Sequence, residues 1–275
     1  MSPVQVSIIV VNYNGSGVIL DCLASVFQHF DPLRVEVIVV DNASQDGSPE
    51  LIAQTYPRVR LIQQTQNVGF GAANNIGVRA AQGEYLFLLN SDTLLQSNIL
   101  PMLRQKLLSA RNVGIVGPRL LNPDGSFQLS TAYEIGLWGE WRTLQLVQKY
   151  RKPQNRPQLA KKYSRDRQVD IVVGAAMFMR RSHFEQVGGF DETFFMYFEE
   201  SDLCQRFRAA GWQILYTPEV SLIHIGGYSV GKTAAKMAAE YRRSQRYYYR
   251  KHRPQWEQCV LHRYLAFKRW RQSLS

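Results

Sequence analysis

Three carboxylates, Glu199, Glu200 and Asp202, stand at the start of a stretch whose apolar residues repeat at helical spacing. Acidic side chains favour the first turn of a helix because they complement its dipole, and that alone would explain one or two of them. Three within four residues exceed this need, and their crowding is expected to raise the pKa of one carboxyl. A carboxylate with a raised pKa suits a general base that takes a proton from a hydroxyl.

Small polar and acidic residues follow three hydrophobic runs of strand length. Their candidate ligand-binding members are Asn12, Tyr13, Asp41, Asn90, Ser91 and Asp92. Such residues are also usual in turns and helix caps. The carboxyl ends of neighbouring parallel strands, however, meet at one edge of a sheet, where α/β proteins bind ligands. We therefore expect the three clusters to form one polar site.

His224 ends another apolar run and precedes two glycines. A single histidine in such a place is more often structural than functional. Beside Asp92 it would complete an Asp/His pair for a divalent ion, with the phosphates of a substrate in other coordination positions.

Two glycine-rich stretches resemble phosphate-binding motifs. Residues 69–74 (GFGAAN) lack the third glycine of the dinucleotide-binding fingerprint. Residues 226–233 (GGYSVGKT) match the P-loop pattern, but the 42 residues that follow hold no apolar strands to complete an ATPase sheet. We instead expect these residues to form a flexible glycine loop that brings Lys232 near a phosphate.

The elements that must position these residues alternate along the first half of the chain. Apolar runs at 4–11, 35–40, 59–62 and 85–89 are separated or followed by helical stretches at 17–29, 48–55, 71–82 and 98–109. Continuous apolar strands between helices predict an α/β fold, with a mostly parallel sheet covered by helices on both faces.

The formal net charge of +11 is unevenly distributed along the 275 residues. Residues 1–141 and 169–231 carry net charges of −3 and −4, whereas 142–168 and 232–275 carry +8 and +10. Because 142–168 has little apolar periodicity and two prolines, we expect a mobile surface excursion there. We thus expect a catalytic domain at 1–231 and a basic, aromatic, helical extension at 232–275. Two basic segments on an acidic body predict local binding to something anionic.

The overall composition excludes several classes of protein. With 45% hydrophobic and 20% charged residues, the chain is neither disordered nor fibrous. Three widely spaced cysteines form no disulfide framework and no metal-binding pair, which suits a reducing compartment. The longest clean apolar run, 171–179, is too short to cross a bilayer core of about 30 Å.

As an ordered set, the motifs resemble glycosyltransferase family 2, and most closely its bacterial rhamnosyltransferase branch. The resemblance rests on segments 7–14, 40–47, 67–77, 88–92, 189–192, 198–204 and 224–227. Each segment alone is weakly specific, whereas their order along nearly the whole chain is highly specific. The resemblance implies a GT-A fold and inverting transfer of a sugar from a nucleotide diphosphate to a hydroxyl.

The resemblance also implies roles for individual residues. Asp41 would accept a hydrogen bond from the pyrimidine of the donor. The nucleoside pocket would be lined by Asn12, Tyr13, Asn67 and Asn75. Asp92, the last position of a DxD-type motif, and His224 would hold Mg²⁺ or Mn²⁺ on the diphosphate. Glu200 would be the base that deprotonates the acceptor hydroxyl.

Two positions depart from the family pattern. The motif Asn90-Ser91-Asp92 has one carboxylate instead of two, which leaves the metal requirement open. The base position holds Glu instead of the usual Asp, so Asp202 and Glu199 remain alternatives to Glu200.

Basic residues alternate with Tyr and Trp in the last 44 residues. This pattern suits single-stranded nucleic acid, a solvated tail packed on the body, or an interfacial helix with Val260, Leu261, Tyr264 and Leu265 on one face. The resemblance favours an anionic membrane surface or a lipid-diphosphate acceptor, and we expect no nucleic-acid partner. The expected location is the cytoplasm, bound peripherally at the inner face of the cell membrane.

The sequence thus predicts a metal-dependent inverting glycosyltransferase. We expect it to move L-rhamnose from dTDP-rhamnose to a lipid-linked or cell-surface saccharide. Two alternatives remain: a hexosyl or galactofuranosyl transferase that uses a UDP-sugar, and a non-catalytic nucleotide- or glycan-binding module of the same fold.

Overall fold

The computed structural model describes residues 4–31, 34–226 and 234–273. The strands are β1 (Val6–Asn12), β2 (Val35–Asp41), β3 (Arg60–Gln63), β4 (Tyr85–Asn90), β5 (Thr93–Leu95), β6 (Val113–Leu121), β7 (Phe127–Gln128), β8 (Thr131–Ala132), β9 (Arg167–Val169), β10 (Ile171–Val172), β11 (Ala176–Arg180) and β12 (Gln213–His224). The helices are α1 (Ile19–His29), α2 (Ser48–Thr55), α3 (Phe70–Ala80), α4 (Leu100–Leu107), α5 (Leu137–Arg151), α6 (Arg156–Lys162), α7 (Arg181–Gln186), α8 (Glu199–Ala209), α9 (Ala234–His252) and α10 (Gln255–Ser273).

One large sheet organises the molecule, with the strand order β3-β2-β1-β4-β11-β6-β12-β5. Strand β1 is parallel to β2 and β4, β2 is parallel to β3, and β6 is parallel to β12. Strand β11 runs antiparallel between β4 and β6, and β5 is antiparallel to β12. The predicted α/β fold with a mostly parallel sheet is therefore confirmed.

Helices cover both faces of this sheet because successive side chains of a strand point to opposite sides. On β1, Ile8 and Val10 pack into a cluster that includes residues of α1 and α4, whereas Ile9 packs into a second cluster that includes residues of α3, α8, α9 and α10. Both faces of the strand are fully buried, which explains why the predicted strands are continuous apolar runs.

The basic stretch 142–168 has more regular structure than its sequence indicates. It forms most of α5, all of α6, and β9 at its end. Leu146, Leu159 and Tyr163 are buried in a small cluster with Phe127 and Tyr216. The sequence predicted a mobile surface excursion without a helical pattern, and the helices were not apparent because α5 buries only Leu146 and α6 only Leu159.

The C-terminal extension is helical, as predicted, and forms α9 and α10. Tyr248 and Tyr249 of α9 and Leu261 and Leu265 of α10 are buried in the cluster that also holds Phe207 of α8. The interfacial face expected on α10 is split, since Leu261 and Leu265 are buried whereas Val260 and Tyr264 are exposed. The boundary expected at 231/232 lies outside the described residues.

Candidate active site

The three polar clusters meet at one edge of the sheet, as predicted. In the strand register, Asn12 at the end of β1 lies opposite Asp41 at the end of β2, and Val11 lies opposite Asn90 at the end of β4. Parallel pairing therefore aligns the residues that follow each strand.

A cavity of about 330 Å³ opens at this edge. Eight predicted site residues line it: Tyr13, Asn67, Asn90, Ser91, Asp92, Glu199, Glu200 and His224. Met196 and Tyr197 close another part of the wall. The cavity thus joins the strand ends to the start of α8, where the three carboxylates stand.

Four predicted residues lie beneath or beside the cavity and do not line it, and Lys232 lies outside the described residues. The side-chain amide of Asn12 donates hydrogen bonds to Asp41 Oδ1 and Ser48 Oγ, both at 2.7 Å. Asp41 also accepts hydrogen bonds from the backbone N–H and the hydroxyl of Ser44. Asn75 holds the turn at Phe190, donating to its carbonyl and accepting from its N–H. Asn12 and Asn75, expected in the nucleoside pocket, thus do not line this cavity: Asn12 binds the side chains of Asp41 and Ser48, and Asn75 holds the backbone of the turn at Phe190.

Asn42 is a site residue that the sequence analysis did not single out. Its amide nitrogen donates to Asn67 Oδ1 at 2.9 Å, and its oxygen accepts from the N–H of Val68. The next residue, Gly69, approaches the backbone of Phe195 so closely that a Cβ there would lie 2.4 Å from its carbonyl oxygen. These contacts attach one wall of the cavity to the segment that leads into α8. In the sequence, the signal that could have identified Asn42 was its place in the second of the three polar clusters.

Asp92 and His224 are brought together by the pairing of β5 with β12, in which Thr93 lies opposite His224. Nε2 of His224 lies 3.4 Å from Oδ1 of Asp92, and both side chains are largely buried. The N–H of Gly226 donates to Oδ2 of Asp92 at 3.1 Å. Residues 4–31, 34–226 and 234–273 contain no group of three or more His, Cys, Asp or Glu that could hold a metal ion, so the pair stands alone.

Gln128 orients this histidine, and nothing in the sequence indicated its role. Its amide nitrogen donates to Asn122 Oδ1 and to the carbonyl of His224, so its oxygen accepts from Nδ1–H of the ring at 2.8 Å. Because this hydrogen bond places a proton on Nδ1, Nε2 is the ring nitrogen that can offer a lone pair on the side of Asp92. Oδ1 of Asp92 and Nε2 of His224 are both acceptors, and they face each other. Since the other ring nitrogen of His224 is hydrogen-bonded, the pair suits a divalent cation held between the two atoms.

A strained turn sets the direction of the carboxylates at the start of α8. Tyr197 and Phe198 have φ angles of 68° and 70°, a left-handed conformation that costs non-glycine residues energy. Packing stabilises it, since the ring of Tyr241 on α9 lies 5.6 Å from that of Tyr197 and 5.0 Å from that of Phe198. The C-terminal extension therefore supports the turn that directs Glu199 and Glu200 into the cavity.

Glu199 and Glu200 form a coupled pair of carboxyl groups in the cavity wall. Within the part of the chain that the structure describes, neither has a Lys, Arg or His nitrogen within 4 Å. Burial, and then the charge of Glu200, raise the pKa of Glu199 well above its ordinary value, and burial raises the pKa of Glu200. Because Glu199 is the more buried carboxyl, its pKa is raised the more strongly, and Glu200 is the member of the pair that ionises more readily.

Asp202 points away from the cavity and is fully buried. Its carboxylate pairs with Arg206 of α8 and with Lys251 and His252 of α9, at 2.6 to 2.7 Å. Burial acts to raise the pKa of Asp202, but the hydrogen bond from His252 and the charge of Arg206 outweigh it, so the pKa lies below its ordinary value. Asp202 therefore connects two helices and is placed away from any acceptor in the cavity.

The fold and the cavity are those of a glycosyltransferase of GT-A type: an Asp/His pair at the edge of an α/β sheet faces the carboxyl groups of Glu199 and Glu200. Residues 7–188 match the model of Glycosyl transferase family 2, and the chain belongs to this family. Residues 157–229 also match a second model, the N-terminal domain of galactosyltransferase. The resemblance found in the sequence is thereby confirmed.

Two characterised relatives indicate the range of activities in similar chains. The N-acetylglucosaminyl-diphospho-decaprenol L-rhamnosyltransferase of Mycobacterium tuberculosis is 30% identical over 230 residues, which is 76% of this chain and 73% of that protein. The low-salt glycan biosynthesis hexosyltransferase of Haloferax volcanii is 27% identical, over 80% of this chain and 67% of that protein.

Solved structures share the fold at lower identity. The mannosyltransferase PcManGT from Pyrobaculum calidifontis, in complex with GDP-Man and Mn²⁺, has a TM-score of 0.60 at 20% identity and covers 90% of this chain. GalNAc-T7 with UDP, GalNAc and Mn²⁺ has a TM-score of 0.64 at 17% identity and covers 88%. The present chain spans 65% and 48% of those two proteins, respectively.

Among the described residues, no helix combines the length and the apolar character needed to cross a bilayer.

Proposed function

We propose that this chain is an inverting rhamnosyltransferase that moves L-rhamnose from dTDP-rhamnose to a hydroxyl of a lipid-linked saccharide in surface-polysaccharide synthesis. The observation that carries the proposal is that the Asp92–His224 pair and Glu200 line the same cavity. The Mycobacterium tuberculosis relative, an L-rhamnosyltransferase of a diphospho-decaprenol acceptor, supports the choice of sugar and acceptor.

The donor would lie along the strand ends. Its nucleoside would contact Tyr13, Asn42 and Asn67, and Asn90 would bind nearer the phosphates. The amide oxygen of Asn90 is buried and has no hydrogen-bond partner among the described residues, which suits contact with a ligand. Asp92 Oδ1 and His224 Nε2 would hold Mg²⁺ or Mn²⁺, whose charge would stabilise the departing diphosphate.

Glu200 would act as the general base. Its carboxylate takes the proton of the acceptor hydroxyl while that oxygen attacks the anomeric carbon, and the bond from this carbon to the diphosphate oxygen breaks. Attack on the face opposite the leaving group inverts the anomeric configuration in one step. Glu199, whose pKa burial raises well above its ordinary value, would keep its proton and add no second negative charge beside the incoming oxygen.

A UDP-sugar hexosyltransferase is the second candidate, because the relative from Haloferax volcanii is a hexosyltransferase and GalNAc-T7 binds UDP. A panel of dTDP-, UDP- and GDP-sugars, each with Mn²⁺ or Mg²⁺, separates the candidates when thermal stabilisation and sugar transfer are both measured. We expect the strongest stabilisation and transfer with dTDP-rhamnose. Preference for a UDP-sugar would select the second candidate, and stabilisation without transfer to any acceptor would indicate a non-catalytic binding module.

We also propose that the protein binds an anionic membrane peripherally through an aromatic face on α5 and α10. Trp138 and Trp141 of α5 stack with ring centroids 5.1 Å apart, and Trp138 is 73% exposed. The exposed apolar residues of α10 are Trp256, Val260, Tyr264, Phe267 and Trp270. The two helix starts are joined, since the N–H of Leu137 donates to the carboxylate of Glu257 at 3.0 Å. Exposed aromatic rings beside many basic residues suit the interface of an anionic bilayer.

Co-sedimentation with vesicles tests this surface. We expect Trp138→Ala/Trp256→Ala to weaken binding to vesicles that contain phosphatidylglycerol, while Leu51→Ala/Leu108→Ala, at exposed positions elsewhere, leaves it unchanged. Equal binding by both double variants would contradict the proposed membrane face.

A further inference from the structure

Four arginines form a stripe on α9, and the catalytic roles proposed above do not use them. Arg242, Arg243, Arg246 and Arg250 line a cavity of about 480 Å³ together with Thr193, Ser244 and Tyr247. Their spacing of i, i+1, i+4 and i+8 places them on one side of the helix, over about 12 Å of its length. We call this cavity the arginine groove.

The positive charge of the arginine groove is only partly compensated. Arg243 lies 3.5 Å from the carboxylate of Glu240, and Arg242 donates to the amide oxygen of Gln245. Arg246 and Arg250 are exposed and, among the described residues, neither has a carboxylate within 4 Å. Arg250 lies over the ring of Tyr247, which orients its guanidinium without neutralising it. Such a surface suits a compact anion with several oxygens.

The arginine groove begins at the wall of the active site. The hydroxyl of Ser244 donates to the carbonyl of Met196 at 2.8 Å, and Met196 lines the catalytic cavity. Arg243 donates to the carbonyl of Thr193, in the same segment. Arg246 follows Ser244 by about half a turn and Arg250 by less than two turns, so both lie within about 9 Å along the helix axis. A sugar phosphorylated at its anomeric carbon spans a distance of this order.

A second cavity continues from the arginine groove, because Arg246 and Arg250 line both. It has a volume of about 560 Å³ and is bordered on α10 by residues that include His262 and Arg263. The cationic path therefore leads from the catalytic cavity along α9 and onto α10. This path differs from the donor site, whose phosphates are assigned to Asp92 and His224 at the strand ends that line the catalytic cavity.

We propose that the arginine groove binds the diphosphate of the acceptor, a saccharide linked through diphosphate to a lipid. This assignment rests on the proposed function, since it places the acceptor sugar between the groove and Glu200. Paired guanidinium groups bind phosphate oxygens through bidentate hydrogen bonds, and loss of such a charged contact commonly lowers affinity by about tenfold or more. The groove thus selects acceptors that carry the diphosphate.

The test compares two soluble acceptors with the same sugar: N-acetylglucosaminyl diphosphate carrying a short alkyl chain, and the corresponding alkyl glycoside without phosphate. In Arg246→Gln/Arg250→Gln we expect KM for the diphosphate acceptor to rise at least tenfold with little change in kcat. KM for the glycoside should stay within twofold of wild type. The control, Arg151→Gln/Arg165→Gln, removes the same charge at exposed positions outside the groove and should behave as wild type.

Three results would overturn the proposal. KM could rise equally for both acceptors, or for neither. The double variant could instead lose only its binding to phosphatidylglycerol vesicles, which would assign the groove to lipid headgroups.

If wild type transfers no sugar to either acceptor, the proposed function fails, and the groove is then tested by calorimetric measurement of its affinity for the diphosphate acceptor. In that case equal affinity of wild type and double variant refutes it.

Discussion

Glu200 and Asp202 lie two residues apart in the first turn of α8, and their surroundings are opposite. Two residues along a helix are separated by about 200°, so one side chain faces the cavity and the other faces α9. Glu200 lines the cavity beside a second carboxyl, with no Lys, Arg or His nitrogen of the described residues within 4 Å, and its pKa is raised. Asp202 is held by Arg206, Lys251 and His252, and its pKa is lowered.

This contrast shows that burial alone does not decide the role of a carboxylate. Burial acts to raise the pKa of both groups, and the cations around Asp202 reverse its effect there. A base must accept a proton, which Glu200 can do in the cavity, whereas Asp202 is committed to its ion pairs. One short stretch of sequence therefore supplies both a candidate catalytic group and a structural connection to the C-terminal helices.

The largest expected effect comes from Glu200→Gln. This change keeps the shape of the side chain and removes its ability to take a proton, so kcat should fall by about 10²- to 10⁴-fold while donor affinity stays the same. Steady-state kinetics and calorimetry measure the two quantities. Glu185→Gln, at an exposed position on α7, is the matched control. A kcat close to wild type would remove Glu200 as the base.

Asp202→Asn should act on stability, since it leaves the cations of α9 without their buried counter-charge. The free energy of unfolding, measured in urea, should fall by about 3 kcal/mol. Asp21→Asn, which is exposed on α1, should change it little. The folded Asp202→Asn protein should keep a kcat within a few-fold of wild type, and a loss as large as that of Glu200→Gln would reverse the two assignments.

Gln128→Leu should weaken metal binding without touching either proposed ligand. It removes the acceptor for Nδ1–H of His224, and loss of such a partner commonly costs about 10- to 100-fold in affinity. Mn²⁺ titration in the presence of nucleotide diphosphate measures this, with Gln148→Leu at an exposed site of α5 as the control. An unchanged Mn²⁺ affinity would contradict the assigned orientation of the histidine.

The smallest effect concerns pH. Because the folded pKa of Asp202 lies below its unfolded value of about 3.9, its contribution to stability is present above that value and is lost as pH falls through the folded pKa. Urea unfolding between pH 2 and 5 should therefore show a weaker pH dependence in Asp202→Asn than in wild type. The difference should not exceed about 1.4 kcal/mol per pH unit, the slope for one proton. Parallel curves would show that Asp202 titrates normally.

Local patterns predicted much of the fold. The four N-terminal strands follow from apolar runs, helices α1 to α4 lie at the four predicted helical stretches, and the residues that end β1, β2 and β4 meet because the register of parallel strands requires it. Helices α5 and α6 did not follow, since few of their residues are buried and they carry no clear amphipathic period.

The candidate site was predictable where its residues are consecutive and less so where they are distant. Glu199, Glu200 and Asp202 share one motif, but the partners that distinguish Asp202 come from α9, about fifty residues later. Gln128 lies 96 residues before His224 in the sequence, and their side chains meet because short strands pair with longer ones in the sheet. Asn12 and Asn75 have residue types that suit ligand binding, and only the packed structure shows that Asn12 binds the side chains of Asp41 and Ser48 and that Asn75 holds the backbone at Phe190.

The anomeric configuration of the product tests the central claim most directly. Wild type is incubated with dTDP-rhamnose of known configuration, a divalent cation and the diphosphate acceptor, and the new glycosidic bond is assigned by NMR. A single displacement assisted by Glu200 predicts a bond of the opposite configuration to that of the donor. Retention of the donor configuration would contradict the account.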